Sequence, residues 1–136
     1  MKYMLDTNIL IYLIKNRPPS VAARVNAFDD GTTLCMSFIT YAELLKGAER
    51  STRKVEVLRS LDELIRNIPV AYDTGSAMCR HYAHHANRLR MEGKPIGGND
   101  LWIACHALAL GMTLVTNNTA EFARVTGLML ENWAEL

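Results

Sequence analysis

A chain of 136 residues, 49% apolar and 21% charged, has ordinary globular composition and can bury one core, so a single domain over residues 1–136 is expected. A formal net charge of +1 excludes the global basic field of a non-specific nucleic-acid binder and leaves only local patches for that role. Met1-Lys2 leads straight into an apolar stretch and no apolar run reaches membrane-spanning length, so a cytoplasmic chain with no membrane partner is expected.

Lys2–Leu5 reads as a short strand, and the apolar run Ile9–Ile14 as a buried helix behind it. Asp6-Thr7-Asn8 joins them. Asp6 thus stands at a strand tip, where an open α/β sheet binds ligands, although Asp also serves as a plain helix N-cap. Asn16-Arg17-Pro18-Pro19 is a breaker, and Ser20 is the expected N-cap of a helix through Phe28. Thr32–Ser37 is the second strand. A helix from near Thr40 to Arg50 carries Glu43 near its start. Ser51 restarts the chain as a longer helix whose Val55, Leu58, Leu61, Ile65 and Ile68 fall on one face. These two helices should form a hairpin with a groove that suits a partner peptide.

Pro69–Tyr72 suits a third strand, and Asp73 or Thr74 the cap of a helix to about Glu92. After the loop Gly93–Gly98, Asn99 is the expected cap of Asp100–Leu110, a helix apolar beyond its first turn and therefore buried, with Gly111 as its stop. Met112–Thr116 is the fourth strand. Asn117-Asn118-Thr119 opens a helical turn with Glu121 and Phe122, and Leu128–Leu130 offers a fifth strand. Strands alternating with helices imply a parallel sheet covered on both faces. Cys35, Cys79 and Cys105 form no C-x-x-C pair and are expected reduced and buried.

Asp6, Glu43, Asp100 and Glu121 all fall just after a strand or near a helix start, positions that share one rim of a parallel sheet. Carboxylates gathered there repel and raise one another's pKa, and a divalent cation relieves the repulsion. Oxygen ligands without Cys or His favour Mg²⁺ or Mn²⁺ over zinc. For Asp100, interaction with the helix dipole is the plainer account, but it leaves Gly97-Gly98 without a reason. His81 and His85, with His84 and Cys79 nearby, have zinc-like spacing but lack a second ligand pair, and read better as a solvent- or RNA-facing patch. Arg80, Arg88, Arg90 and Lys94, with Lys46, Arg50, Arg53 and Lys54, form the candidate phosphate-contacting surface, against the alternative of solvated helix faces. Trp102 suits a core better than a base-stacking platform.

The pieces Met4-Leu5-Asp6-Thr7-Asn8, Ser37-Phe38-Ile39-Thr40-Tyr41-Ala42-Glu43-Leu44 with Gly47, Gly98-Asn99-Asp100-Leu101-Trp102-Ile103-Ala104 and Leu114-Val115-Thr116-Asn117-Asn118 with Glu121-Phe122 together cover nearly the whole chain. In that order the chain resembles the PIN-domain ribonucleases, and more closely the VapC toxins of bacterial toxin–antitoxin pairs. The resemblance implies an α/β/α sandwich around a parallel sheet of four to five strands. It also implies Mg²⁺-dependent RNA cleavage, with Mn²⁺ able to substitute, and neutralisation by a VapB-type antitoxin in a homodimer or higher toxin–antitoxin assembly. Asp6, Glu43 and Asp100 carry over onto the family's acidic triad, and Glu121 falls where many members place an Asp. Thr7, Asn8, Asn99, Thr116 and Asn117, their polar neighbours, would support them. Likeness to enterobacterial-type members points to a tRNA anticodon stem–loop as substrate, initiator tRNA first.

The alternative is a non-catalytic PIN-like module that binds RNA or a protein, and the complete set of acids speaks against it. A third reading is a DNA nuclease or phosphatase on a related scaffold. Dehalogenase-type phosphatases want a second Asp where this chain has Asn8.

Overall fold

A computed structural model describes residues 1–134. In chain order the elements are β1 (Lys2–Leu5), α1 (Thr7–Lys15), α2 (Pro19–Asn26), β2 (Thr33–Ser37), α3 (Phe38–Arg50), α4 (Lys54–Asn67), β3 (Val70–Ala71), α5 (Ser76–Met91), α6 (Gly98–Leu110), β4 (Thr113–Val115), α7 (Thr119–Phe122) and β5 (Leu130–Glu131). All strand pairs are parallel, in the order β3-β2-β1-β4-β5. Met4 stands opposite Cys35 on one side and Leu114 on the other, so β1 is the central strand.

The strands are buried on both faces, and alternate residues serve different cores. Met4, Cys35 and Leu114 join Met78 and Leu89 of α5, Ile103 and Cys105 of α6, and Phe122 of α7. Tyr3, Leu5, Met36 and Val115 join Ile9 and Leu10 of α1, Val21 of α2, Leu44 of α3 and Leu61 of α4, together with Trp133. Two helical layers therefore flank the sheet, which is the expected α/β/α sandwich. No helix among the described residues is long and apolar enough to cross a membrane.

Several helix starts differ from expectation. Helix α2 begins at Pro19, with Pro18 in the cap position and no side-chain cap. Proline's fixed φ suits the first helical position, so the helix starts one residue before Ser20, whose hydroxyl is buried without a partner. Helix α3 begins at Phe38 because the Ser37 hydroxyl, at the strand's end, accepts from the Ile39 N–H at 3.2 Å. Glu43 consequently sits in the second turn. Helix α4 starts at Lys54 rather than Ser51, whose hydroxyl instead accepts from the Arg53 N–H. Gly75, not Asp73 or Thr74, precedes α5, and Gly97 precedes α6, which puts Asn99 inside the first turn. Gly111 does end α6, in the left-handed region at φ 67°.

At the carboxyl end, β5 is Leu130–Glu131 and leaves Leu128 outside. The three cysteines are free, but Cys79 is exposed on α5 and only Cys35 and Cys105 are buried. Burial pushes Cys35 up to about 11 and Cys105 to about 12, so neither is a nucleophile at neutral pH.

Candidate active site

The chain moves outward from β1 through β2 to β3, then returns to β1's other edge with β4. The turning point lies between β1 and β4, and a crevice opens beyond their carboxyl ends. Asp6 leaves β1 into this crevice and Thr116 leaves β4. The N-terminal parts of α3 and α6 bring Glu43 and Asp100 to the same rim, since both carboxylates act electrostatically on Asp6 or on each other.

Asp6 is 4% exposed and held from two sides. Its Oδ1 accepts from the Thr7 N–H at 2.8 Å, so it is also the N-cap of α1. Its Oδ2 accepts from the Thr116 hydroxyl at 2.9 Å, and that hydroxyl accepts in turn from the Asn118 N–H at 3.0 Å. The Thr7 hydroxyl donates to Glu43 Oε1 at 2.7 Å. A hydroxyl has one proton, so Thr40, whose oxygen lies 3.1 Å from that of Thr7, donates to it. Asn118 Nδ2 donates to Glu121 Oε2 at 2.7 Å. Each acid except Asp100 thus has a polar neighbour that fixes it.

Burial raises the pKa of Asp6, against the two hydrogen bonds that lower it, and Glu43 and Glu121 raise it further. Asp100 is pushed up to about 6, first by burial and then by Asp6, Glu121 and Glu43. Four carboxylates therefore sense one another across the rim. Among the described residues, no three acidic, histidine or cysteine side chains close tightly around one point. Thr7 of α1 holds Glu43 of α3, and Asn118 holds Glu121 of α7. By chemistry the donor set fits a hard divalent cation, because every donor is an oxygen and a positive charge removes the repulsion.

The Asp100 shift has a consequence for folding. Its unfolded value is 3.8 and its folded value about 6, so below pH 3.8 both states carry the proton and the group contributes nothing. Between these values the folded chain binds more proton, and stability falls as pH rises. Asp100→Asn should therefore match the parent at acid pH in chelator, and exceed it at neutral pH by about 1 kcal/mol, the full shift being discounted for a half-exposed group. Urea titrations of both proteins across this range check it, and a stability difference independent of pH would contradict it.

The four histidines stand apart from the acids. His106 is buried in α6, with Nε2 2.7 Å from the Asp73 carbonyl and Nδ1 2.8 Å from the Ser37 hydroxyl. The carbonyl can only accept, so Nε2 carries the proton and Nδ1 accepts from Ser37. Burial lowers the pKa of His106, which keeps this tautomer neutral. The ring thereby locks the residue that caps α3. His81, His84 and His85 lie along α5, outside any metal-holding group among the described residues.

Thr7 and Thr116 contact the acids directly. Asn8 and Asn99 are exposed, and Asn117 donates to the Tyr12 hydroxyl at 2.7 Å. Thr40 and Asn118 touch the network and were not among the expected supporting residues. Their signal was spacing: each lies three residues before an acid, one helical turn. Lys46, Arg50, Arg80, Arg90 and Lys94 are exposed. Arg80 donates to the Ser76 hydroxyl and Arg90 to Asn87 Oδ1, while Lys54 pairs with Glu49 and Arg53 with Glu56. Arg88 is drawn inward by Glu92, His85 and the Arg124 carbonyl. Trp102 is half-buried and stacks on Tyr82, ring centroids 3.8 Å apart, beside a recess of about 340 Å³ lined by Phe38, Ile39 and Met78.

Residues 3–128 match the family model for the PIN domain. Ribonuclease VapC1 of Haemophilus influenzae (strain R2866) is 49% identical over 135 residues, 99% of this chain and 100% of that protein. The tRNA(fMet)-specific endonuclease VapC of Shigella flexneri is 41% identical over 134 residues, 98% of this chain and 99% of that one. The solved structure of VapBC-1 from nontypeable Haemophilus influenzae superposes with a TM-score of 0.91 at 49% identity, covering 99% of this chain and 100% of its counterpart. With its order of strands, its acid-lined rim and these full-length matches, the chain belongs to the PIN-domain family and, within it, to the VapC ribonucleases.

Proposed function

We propose that the chain is a Mg²⁺-dependent endoribonuclease toxin, one PIN domain over residues 1–136, that cuts structured RNA in the cytoplasm and so inhibits translation. The observation that carries this is the gathering of Asp6, Glu43, Asp100 and Glu121 at the sheet's turning point, where burial first and then its three acidic neighbours raise the pKa of Asp100. In this reading Asp6, Glu43 and Asp100 hold the cation and Glu121 completes the acidic set, with Mn²⁺ able to replace Mg²⁺. A bound divalent cation offsets the charge of the scissile phosphate and acidifies water. The chain's own part is to orient the acids: Thr7 and Thr116 fix Asp6, and Thr7 and Asn118 fix Glu43 and Glu121. The N-terminus of α1, beside Asp6, presents N–H groups and a dipole that favour a phosphate.

The proposed substrate is a tRNA anticodon stem–loop, initiator tRNA first, and the name of the Shigella relative supports the choice of tRNA. Lys46, Arg50, Arg80, Arg90 and Lys94 are exposed and available to its phosphates. Sequencing RNA 5′ ends after brief expression tests the substrate class. One dominant new end within one tRNA loop is expected, and ends scattered over all transcripts would contradict it.

A VapB-type antitoxin is the proposed partner, in a homodimer or larger toxin–antitoxin assembly, and the likeness to the VapBC-1 structure supports that partner. Its docking site is the groove of about 410 Å³ between α1, α3 and α4, lined by Ile11, Ile14, Leu44 and Val57 with Glu43 at one end. An amphipathic helix suits such a groove, and a basic residue on it would reach the rim. Gly47 lies on the groove wall with open space around its missing Cβ. Gly47→Trp should fill the groove and weaken antitoxin binding about tenfold or more, with RNA cleavage by the free toxin retained. Isothermal titration with the antitoxin decides, and unchanged affinity would place the peptide elsewhere.

A further inference from the structure

Two arginines tie the tip of the α5–α6 hairpin to the segment that carries Glu121, and neither side chain bonds a carboxylate of the rim. Arg88 of α5 donates to the carbonyl of Arg124 at 2.5 Å. Arg124 donates back to the carbonyl of Pro95, in the α5–α6 loop, at 3.2 Å. Arg88 is itself held by Glu92 Oε2 at 2.9 Å and by His85 Nδ1 at 3.2 Å. A guanidinium only donates, so His85 accepts through Nδ1. The side chain of Arg88 is 25% exposed; Glu92, His85 and the Arg124 carbonyl engage its two terminal nitrogens, while its Nε is buried without a partner.

Both ends of this clasp lead to an acid. The Arg124 N–H closes a turn on the Glu121 carbonyl at 3.1 Å. Pro95 lies shortly before Gly97, whose carbonyl accepts from the first turn of α6, the turn that holds Asp100. Helix α7 spans only Thr119–Phe122 and has no side-chain cap; Asn118 holds the Glu121 carboxylate and the buried Phe122 anchors the turn, and the clasp adds a tie on the far side of both. Asp100 and Glu121 also repel, which would swing the weaker segment outward.

We propose that Arg88 and Arg124 are positioning residues that hold Glu121 against Asp100, so that cation affinity at the rim depends on a clasp remote from it. The proposal rests on the reading of Asp100 and Glu121 as cation-holding acids. It takes Arg88 out of the phosphate-contacting surface and gives it a different task.

The test measures Mn²⁺ affinity by the electron paramagnetic resonance of free Mn²⁺, amide hydrogen exchange over residues 118–124, and binding of the RNA stem–loop in chelator. Arg88→Met keeps the apolar stem, and Arg124→Gln alters an exposed side chain, so at least one variant stays folded. Each should weaken Mn²⁺ binding about tenfold, the usual effect of removing a residue that supports a ligand. Each should also speed exchange over residues 118–124 and leave RNA affinity unchanged. Arg88→Met combined with Glu121→Gln should bind Mn²⁺ no more weakly than Glu121→Gln alone. Parent-like Mn²⁺ affinity in both arginine variants, with Glu121→Gln impaired, overturns the clasp alone. A loss confined to RNA affinity also overturns it and returns Arg88 to the phosphate surface. Parent-like affinity in Glu121→Gln overturns the role of Glu121 and the proposal with it.

Discussion

Asp100→Asn should reduce RNA cleavage about 1,000-fold, a loss of about 4 kcal/mol in the transition state, and leave the protein folded. Asparagine has almost the same volume, so no cavity forms. At neutral pH the substitution removes a carboxylate that burial, and then Asp6, Glu121 and Glu43, disfavour, so in chelator the folded state gains rather than loses. Asp6→Asn should cut activity as deeply but behave differently in a melt. Asp6 accepts from the Thr7 N–H through one oxygen and from the Thr116 hydroxyl through the other. An amide has one oxygen, so one of those donors loses its acceptor, at a cost of about 1–3 kcal/mol. Single-turnover cleavage and thermal melts of both variants separate the effects. Parent-like cleavage by a folded Asp100→Asn protein would remove Asp100 from the site.

The contrast between these acids shows where the chain could be read directly. Asp6 follows an apolar strand and precedes an apolar helix, so its place at a strand tip is written in its neighbours. Asp100 opens a helix that is apolar beyond its first turn, and the buried Ile103, Ala104 and Cys105 leave that first turn as its polar end. Local pattern is enough in both cases. Glu43 is harder, because its partner Thr7 lies 36 residues away. The bond from Thr116 to Asp6 spans 110 residues. Contacts that distant depend on strand order, which periodicity does not encode.

Helix starts were misplaced for a different reason. Ser20, Ser51 and Asn99 are all good capping residues, yet none of them is the N-cap of its helix. Pro19 begins α2 before Ser20, and Ser37 caps α3 from the end of β2. The direction of Arg88 is not legible in the sequence, because side-chain direction on α5 is set by what packs against it. The α7 loop offers a carbonyl there, so a residue that resembles a surface cation turns inward. Cys79 shows the converse, since it lies in a helix that contributes Met78 to the core yet points outward itself.

Withdrawal of the cation and the chemistry of the cut ends together test the central claim. A ribonuclease without metal commonly drives the 2′-hydroxyl onto the neighbouring phosphate with a general base and acid, often histidines. His106 has both ring nitrogens engaged with Ser37 and Asp73. His85 is buried on Arg88, and His81 and His84 lie beside it on α5. None is placed to serve the acids' rim, so water rather than the 2′-hydroxyl is the expected nucleophile. The measurement is cleavage of the tRNA stem–loop in EDTA, then after adding Mg²⁺ or Mn²⁺, with the new ends analysed. Cleavage should stop in EDTA, return with the cation, and leave a 3′-hydroxyl and a ligatable 5′-phosphate. A 2′,3′-cyclic phosphate formed in the presence of EDTA would contradict the account and direct attention to the histidines.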